Sequence, residues 1–242
     1  MSRRLEELVR YLEKLGGILV VAFSGGVDST FLSAAALRAK KSDVLLVTAD
    51  IPFMPRREIG EAKRIAGILR ARHVVLKVEL GPVVWRNPPD RCYHCKKAVM
   101  GRIIEYAQKH FHEFTVVDAT NADDVGKYRP GRRALEELGV RSPLAELGFT
   151  KREIRELSRI LGLPTWSKPS SPCLATRIPY GEEITPEKLR VVEKAEDVVK
   201  RVVGVRIVRV RIHGGTIARI EVGRDERKLF FSEEVMDRGY SE

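Results

Sequence analysis

Hydrophobic and polar positions alternate along the first half of the chain with the periods of strands and helices. Short apolar runs rich in Ile, Val and Leu predict buried strands at residues 17–23, 43–50, 73–80 and 114–120. The segments between them predict helices near residues 29–40, 56–70 and 95–110. Strands that alternate with helices of this length indicate an α/β fold with a doubly wound parallel sheet.

The regular alternation weakens after about Tyr128. Residues 150–161 predict an amphipathic helix, since Thr150 stands at the position of an N-cap and Glu153 follows three residues later. The next stretch, residues 163–180, is rich in Pro and Ser, and we interpret it as an ordered loop.

The last part of the chain has a different character. It predicts a helix at about 186–203 and two alternating segments, 205–212 and 216–222. His213-Gly214-Gly215 between these segments indicates a hairpin. We therefore expect a boundary near Tyr180, with a first domain at 1–180 and a small C-terminal α+β domain at 181–242.

Composition and charge narrow the class of protein. The 242 residues include 44 Lys and Arg against 33 Asp and Glu, a formal net charge of +11. Either an anionic partner such as a nucleotide or RNA, or a generally ion-rich surface, accounts for this excess. The basic residues are spread without a long block, which favours the second explanation. No long apolar run or secretory leader is present, so we expect a cytoplasmic protein.

Residues 24–29, SGGVDS, lie directly between the first predicted strand and the first predicted helix. Glycines let the backbone approach a phosphate, and the unpaired N–H groups of a helix start attract it. Ser24 and Ser29 add hydroxyl donors, while Asp28 suggests a Mg²⁺ ion that bridges phosphates. The string lacks the Lys-Ser/Thr pair of a Walker loop. The alternative is an ordinary Gly-rich turn between a strand and a helix.

A second polar segment follows the fourth predicted strand. Residues 118–124, DATNADD, stand where open α/β sheets bind their ligands, at the carboxyl end of a strand. We expect contact with the nucleotide or its metal there. Alternatively, Asp123 and Asp124 cap a helix or face solvent.

The chain has three cysteines, Cys92, Cys95 and Cys173. An odd number without an export signal argues against a disulfide framework. Cys92 and Cys95 form a CxxC pair, and Cys173 is a candidate third ligand of a 4Fe–4S cluster with one open iron. The alternatives are zinc with His94 as fourth ligand, a redox pair, or unrelated buried thiols.

The SGGVDS string resembles the PP-loop of the ATP pyrophosphatase superfamily, which has a HUP-like sheet. Further strings together resemble the LarE family, ATP-dependent sulfur transferases of nickel-pincer nucleotide synthesis. They span nearly the whole chain: SGGVDS, NPPDRCYHCK, ATNADDVGKYRPG, RSPL, LGLPTW, PCLATRIPYG and RVRIHGGTIARIEV.

The resemblance implies a specific reaction. ATP is split into AMP and pyrophosphate, and AMP activates a carboxylate of pyridinium-3,5-biscarboxylic acid mononucleotide. Sulfur then replaces the AMP and gives a thiocarboxylate. In one branch of the family the cysteine matching Cys173 gives up its own sulfur. In the other, three cysteines hold a 4Fe–4S cluster that delivers sulfide. The full cysteine set in this sequence favours the cluster branch, with an external sulfide source.

The resemblance also implies roles for individual residues. Contacts with ATP are expected from Ala22, Ser24, Gly25, Gly26, Asp28, Ser29, Asn121 and Asp124. Contacts with the nucleotide substrate are expected from Arg177, Arg209 and Arg211, of which the last two alternate along one strand and so share a face. Glu196 is expected to bind Mg²⁺ together with Asp28. Each of these charges could instead be a solvated surface group.

The sequence departs from the family pattern at three places. Ala119 stands where a Gly is expected, and Lys127 stands where an Asp is common. The chain reaches Glu242 soon after the second C-terminal strand, so we expect a trimmed second domain. The resemblance implies a homo-oligomer.

Two other functions compete with sulfur transfer to a nucleotide. A tRNA-thiolating enzyme of the same superfamily fits the charge of +11. The sequence lacks terminal zinc-ribbon pairs and a stripe of aromatic and basic residues, so we do not expect nucleic acid as a partner. The second competitor is a nucleotide-binding regulator without catalysis.

Overall fold

The computed structural model of the chain describes residues 2–126, 130–231 and 235. The chain divides into two compact units, Met1–Val84 with Asp90–Ser171, and Trp85–Pro89 with Pro172–Glu242. The second passage between units falls after Ser171, ahead of the boundary predicted near Tyr180. The domain limits 1–180 and 181–242 stay a prediction. The departure at Lys127 lies outside the described residues.

The predicted helices and strands occur in the predicted order. The helices are α1 Arg3–Leu15, α2 Val27–Ala36, α3 Arg56–Ile68, α4 Pro82–Trp85, α5 Arg91–His110, α6 Gly131–Glu137, α7 Pro143–Glu146, α8 Lys151–Ile160 and α9 Pro186–Val203. The strands are β1 Ile18–Ala22, β2 Val44–Asp50, β3 Arg72–Lys77, β4 Phe114–Val117, β5 Val208–His213 and β6 Ile217–Val222. Helices α1, α4, α6 and α7 are additional to the predicted ones. Among the described residues, no helix combines the length and apolar character that a membrane crossing requires.

The first unit is built on a parallel sheet with the strand order β3-β2-β1-β4. Val20 of β1 pairs with Leu45 of β2 on one side and with Val116 of β4 on the other. The chain therefore reverses its direction of travel across the sheet at β1. Open α/β sheets bind ligands at the carboxyl ends of the strands beside such a reversal.

Helices cover both faces of this sheet. Leu19 and Val21 of β1 pack into one buried cluster with side chains of α1, α2, α3 and α8, whereas Val20 packs into another with α5 and α6. Successive residues of a strand point to opposite faces, so the two clusters lie on opposite sides of the sheet. The predicted doubly wound α/β fold is confirmed.

The first helix, α1, is not among the helices predicted from the sequence. Leu5, Leu8, Val9 and Leu12 recur at the spacing of one helix face, and all of them are buried. They belong to the same cluster as Leu19. The charged residues between them form the outer side of an amphipathic helix.

The second unit contains α9 and the β5–β6 hairpin. The side chain of Thr185 accepts a hydrogen bond from the Lys188 N–H at 3.2 Å, and Gly204 ends α9 with φ of 77°. Strand β5 pairs antiparallel with β6, and its Val208 and Val210 are buried. The small α+β element set predicted for the C-terminal part is confirmed.

The segment Trp85–Pro89 joins the second unit through Asn87, which is buried. The Asn87 carbonyl accepts a hydrogen bond from the Gly181 N–H at 2.9 Å. Its side-chain amide donates to the carbonyl oxygens of Pro179 at 2.7 Å and Glu182 at 3.0 Å. Asn87 therefore holds the loop that follows Cys173 in the sequence.

Candidate active site

The SGGVDS loop turns tightly between β1 and α2, as predicted. Gly25 has φ of +67°, and a Cβ atom there would lie 2.9 Å from Cα of Ala62 in α3. Only glycine combines this backbone conformation with so close an approach. The loop therefore packs directly against α3 at the end of β1.

Serine hydroxyls hold the inside of the loop. The N–H groups of Ser24 and Gly26 donate to the hydroxyls of Ser29 and Ser24, each at 3.3 Å. The two hydroxyl oxygens lie 3.1 Å apart, and the Ser29 hydroxyl donates to the Gly26 carbonyl at 3.3 Å. These bonds are long for their type, so a phosphate oxygen can take over the donors at little cost.

Asp28, the predicted metal ligand, lies in an ion pair. Nζ of Lys151, the first residue of α8, lies 2.7 Å from both carboxylate oxygens of Asp28. The amide Nδ2 of Asn121 donates to the same carboxylate at 3.4 Å. The structure thus brings together Asp28 and Asn121, as the predicted ATP contacts require, and adds a cation beside them.

The segment after β4 is folded toward the loop. Asn121 is buried, and its Oδ1 has no hydrogen-bond partner among the described residues. Its backbone N–H lies 3.5 Å from Oδ2 of Asp124, while Oδ2 of Asp123 accepts from the Lys151 N–H at 2.8 Å. An unsatisfied buried acceptor is costly, so Asn121 Oδ1 is suited to meet a ligand or a metal-bound water.

Asp118 is a structural anchor of this segment. It is buried and accepts hydrogen bonds from the Thr120 N–H at 3.1 Å, the Thr120 hydroxyl at 2.8 Å and the Ser142 hydroxyl at 2.7 Å. Nζ of Lys96 lies 3.5 Å from its carboxylate. Because Lys96 directly follows Cys95, the CxxC pair lies at the same edge of the sheet as the residues after β4.

A second lysine, Lys168, contacts the loop at Gly25. Lys168 Nζ lies 2.9 Å from a carboxylate oxygen of Glu58 and 2.9 Å from one of Glu61, both in α3. It also donates to the Gly25 carbonyl at 3.4 Å. The Lys168 side chain is largely buried there. Lys168 therefore links the loop to α3.

His73 supports, through Thr48, the strand that leads into the loop. The Thr48 hydroxyl donates to the Phe23 carbonyl at 2.7 Å, and Nε2 of His73 lies 2.8 Å from the Thr48 oxygen. Because Thr48 has used its hydrogen, His73 must donate from Nε2. Burial, with a smaller contribution from Lys63, lowers the pKa of His73 below its ordinary value of 6.5.

The CxxC pair occupies the first turn of α5. Cys92 and Cys95 are three residues apart in this helix, so both face the same side. Cys92 is exposed and Cys95 half-buried, and neither is in a disulfide. Nε2 of His94 lies 3.2 Å from a carboxylate oxygen of Asp90.

These two thiols alone do not test the predicted metal cluster. Two thiolates on one helical turn suit a metal centre, but a cluster needs a third. Among residues 2–126, 130–231 and 235, no three His, Cys, Asp or Glu side chains form a group that could hold a metal ion. The three-thiolate cluster therefore stays a prediction.

Cys173 belongs to the second unit and precedes a 3₁₀ turn, Leu174–Arg177. Its side chain is half-buried and is not in a disulfide. The Thr176 hydroxyl donates to the Cys173 carbonyl at 2.9 Å. Arg177, a predicted substrate contact, donates to the same carbonyl at 3.2 Å and forms a buried ion pair with Glu196.

The other two predicted arginines share a face of β5, as the alternation predicts. Arg209 lies opposite Glu221 of β6, and Arg211 lies opposite Arg219. Nε of Arg211 is 2.9 Å from Glu221, and Nη2 of Arg219 is 2.7 Å from it. The Arg211 guanidinium, more than any other group, lowers the pKa of the Glu221 carboxyl. Two like charges directly opposite repel each other, so this face is suited to an anion.

Comparison with known proteins identifies the family. No family model matches the chain. An uncharacterized protein of Synechocystis is 38% identical over 232 residues, which cover 95% of this chain and 85% of the relative. The pyridinium-3,5-bisthiocarboxylic acid mononucleotide synthase (LarE) of Lactiplantibacillus plantarum is 35% identical over 225 residues, 92% of this chain and 80% of that enzyme. The chain belongs to the LarE family.

More distant similarity to this LarE-family chain extends to other synthases. A glutamine-hydrolyzing GMP synthase component of Archaeoglobus fulgidus is 30% identical over 204 residues, 76% of this chain and 64% of that protein. The α/β fold of the first unit agrees with this relationship. The predicted resemblance to the LarE family is confirmed, whereas the three-cysteine branch stays a prediction.

Two lysines beside the loop of this LarE-family chain are not predicted from its sequence. Lys151 and Lys168 reach the loop from positions 123 and 143 residues further along the chain than their partners Asp28 and Gly25. Neither stands in a Gly-rich string. Lys151 is the first residue of the helix predicted from the segment FTKREIR, residues 149–155. This position at a helix start is the one local feature of the sequence that could have indicated a role for Lys151.

Proposed function

We propose that the protein is an ATP-dependent sulfur transferase that converts pyridinium-3,5-biscarboxylic acid mononucleotide into its thiocarboxylate, for nickel-pincer cofactor synthesis. The observation that carries the proposal is the Asp28–Lys151–Asn121 group beside the SGGVDS loop. It occurs in a chain that is 35% identical to a synthase named for the bisthiocarboxylic acid product.

In the first step, a carboxylate oxygen of the substrate attacks the α-phosphorus of ATP. The bond between the α- and β-phosphates breaks, and pyrophosphate leaves. The loop backbone with the hydroxyls of Ser24 and Ser29 would hold the pyrophosphate. Lys151 and Lys168 would neutralise its charge by leaving their carboxylate partners, which an anion of higher charge favours.

A Mg²⁺ ion fits the same place. Mg²⁺ prefers oxygen ligands and is commonly held by one or two carboxylates together with substrate phosphates. Asp28 supplies a carboxylate, and the buried Oδ1 of Asn121 has no partner among the described residues. Asp28 would hold the ion, which would offset the charge that develops on the departing pyrophosphate. Asp124 stays a predicted ATP contact.

In the second step, a sulfur nucleophile attacks the carbonyl carbon of the acyl adenylate, and AMP leaves with the bonding electrons. A carboxylate alone lacks a good leaving group, so adenylation must come first. We assign the sulfur chemistry to Cys92, Cys95 and Cys173. A 4Fe–4S cluster on these thiols stays a prediction of the resemblance, and neither step above depends on it.

The substrate phosphate would bind Arg209 and Arg211. Both side chains belong to the cationic face of β5, where Arg211 and Arg219 compete for Glu221. A phosphate bound by these arginines would relieve the repulsion between opposite positions of the hairpin. The predicted homo-oligomer and the external sulfide source also belong to this proposal.

The test measures ATP-dependent pyrophosphate release with the biscarboxylate mononucleotide, together with the mass of the product. We expect release to require the mononucleotide, and one oxygen to be exchanged for sulfur when sulfide is supplied. Asp28→Asn should abolish release, whereas Asp225→Asn, at an exposed position of the second unit, should not. Release with tRNA instead would establish the thiolating alternative, and no release with either would establish a nucleotide-binding regulator.

A further inference from the structure

The turn that carries Cys173 is held by a buried ion pair. Nε of Arg177 donates to Oε1 of Glu196 at 2.6 Å, and Nη2 donates to Oε2 at 3.1 Å. The two side chains are 3% and 0% exposed. A pair with both carboxylate oxygens matched by guanidinium nitrogens is the strong form of this interaction, and burial makes the loss of either partner costly.

The third nitrogen of Arg177 binds the backbone on both sides of the Cys173 peptide. Nη1 donates to the carbonyl oxygens of Pro172 at 3.1 Å and Cys173 at 3.2 Å. It also donates to the Thr176 hydroxyl at 2.8 Å, and that hydroxyl donates to the Cys173 carbonyl at 2.9 Å. The orientation of the cysteine thus depends on the Arg177 side chain.

Glu196 fixes this arginine to the rest of the second unit. Its Oε1 accepts a second hydrogen bond, from the Val210 N–H of β5 at 3.1 Å. Arg211, the next residue of β5, donates from Nη1 to the Thr176 carbonyl. Helix α9, strand β5 and the Cys173 turn therefore meet at one buried pair of charges.

From this geometry we propose that Arg177 and Glu196 are positioning residues for Cys173, and neither a substrate contact nor a metal ligand. This inference rests on the proposed function in so far as Cys173 is given a role in sulfur transfer. All three nitrogens of Arg177 have acceptors, so a substrate phosphate would have to displace Glu196. A Mg²⁺ ion at Glu196 would have to displace Arg177 from a fully buried site.

The test compares two variants, Glu196→Gln and Arg177→Lys, with the parent protein. The rate of Cys173 alkylation by iodoacetamide is measured at this residue by peptide mass spectrometry, well below the unfolding temperature. A loosened turn should raise the rate by about fivefold or more. Pyrophosphate release should keep the KM of the parent for the mononucleotide and for Mg²⁺, whereas thiocarboxylate formation should fall.

Three results would overturn the proposal. A raised KM for the mononucleotide with unchanged alkylation would make Arg177 a substrate contact. A shifted Mg²⁺ dependence with unchanged alkylation would make Glu196 a metal ligand. A lower unfolding temperature with neither change would mean that the pair only stabilises the unit, which also contradicts a positioning role.

Matched controls distinguish the effect of losing the Arg177–Glu196 ion pair from the effect of removing any charge from α9. Glu187 and Arg190 form an exposed ion pair of 2.7 Å on the same helix, so Glu187→Gln and Arg190→Lys should leave Cys173 alkylation unchanged. If the buried variants do not fold, Thr176→Val removes one acceptor of Arg177 and leaves the ion pair. It should raise the alkylation rate by a smaller factor. Alkylation requires no sulfur transfer, so it decides the positioning role even if the parent releases no pyrophosphate.

Discussion

Lys151 holds the carboxylate of Asp28 symmetrically, with Nζ 2.7 Å from each of its oxygens. The loop aspartate is thus neutralised by a residue 123 positions away in the sequence. An aspartate placed among phosphates repels them unless a cation accompanies it. Lys151 supplies that cation in the protein alone. When ATP binds, Lys151 would pair with pyrophosphate and Mg²⁺ would take its place beside Asp28.

We predict that Lys151→Met lowers ATP-dependent pyrophosphate release by about 100-fold or more, the usual cost of losing one charged donor to a developing negative charge. The rate is measured at saturating and at low ATP, because a lost ATP contact raises KM while a lost transition-state contact lowers kcat. Arg152→Met, at the exposed neighbouring position, is the control. Equal rates for Lys151→Met and the parent would remove Lys151 from the site.

We predict that the ion pairs of Lys168, on the other side of the loop from Lys151, stabilise the folded protein. Lys168→Met leaves Glu58 without its lysine and Glu61 with Arg64 alone, at 3.7 Å, so we expect the free energy of unfolding to fall by about 2 kcal/mol. Chemical denaturation measures the change. The triple variant Lys168→Met, Glu58→Gln and Glu61→Gln should recover most of the loss, and Lys109→Met, at an exposed site, should change little. A triple variant no more stable than the single one would contradict the electrostatic cause.

We predict that His73 makes the free energy of unfolding depend on pH. Burial lowers the pKa of His73 below 6.5, so the unfolded chain takes up a proton at a higher pH than the folded one does. The contribution of His73 is therefore complete above the unfolded pKa and is lost as pH falls through the folded pKa. Denaturation from about pH 7.5 down to about pH 5 should show this loss, and His73→Gln should reduce it. His112→Gln, at an exposed position, should not.

The sequence predicts those parts of the fold that have a local cause. Helix α9 is predicted at its observed range, because Pro186 begins it and the apolar residues keep one face throughout. The SGGVDS loop is predicted because glycine and a strand–helix junction lie next to each other. The helix predicted from residue 95 begins earlier, at Arg91, so the CxxC pair lies inside α5.

The parts of the site that the sequence does not predict depend on contacts between residues far apart in the chain. Lys151 and Lys168 carry the same charge as many solvated lysines, and only the fold shows which carboxylates they meet. The family resemblance likewise implies that Arg177 and Glu196 bind ligands, and buried ion pairs use the same residue types as ligand contacts. Their burial, 3% and 0% exposed, is a tertiary property that no local pattern reports.

The last prediction concerns the three thiols. If they hold a 4Fe–4S cluster, anaerobic reconstitution should give bound iron and visible absorbance, and Cys92→Ala, Cys95→Ala and Cys173→Ala should each lose both. Because Cys92 and Cys95 share one turn of α5, a metal held by this pair alone would survive Cys173→Ala. Zinc in the protein as isolated would then identify a structural site. If Cys173 is itself the sulfur donor, no iron binds, and turnover should remove one H₂S from its peptide. Mass spectrometry of that peptide before and after one turnover distinguishes a ligand from a donor.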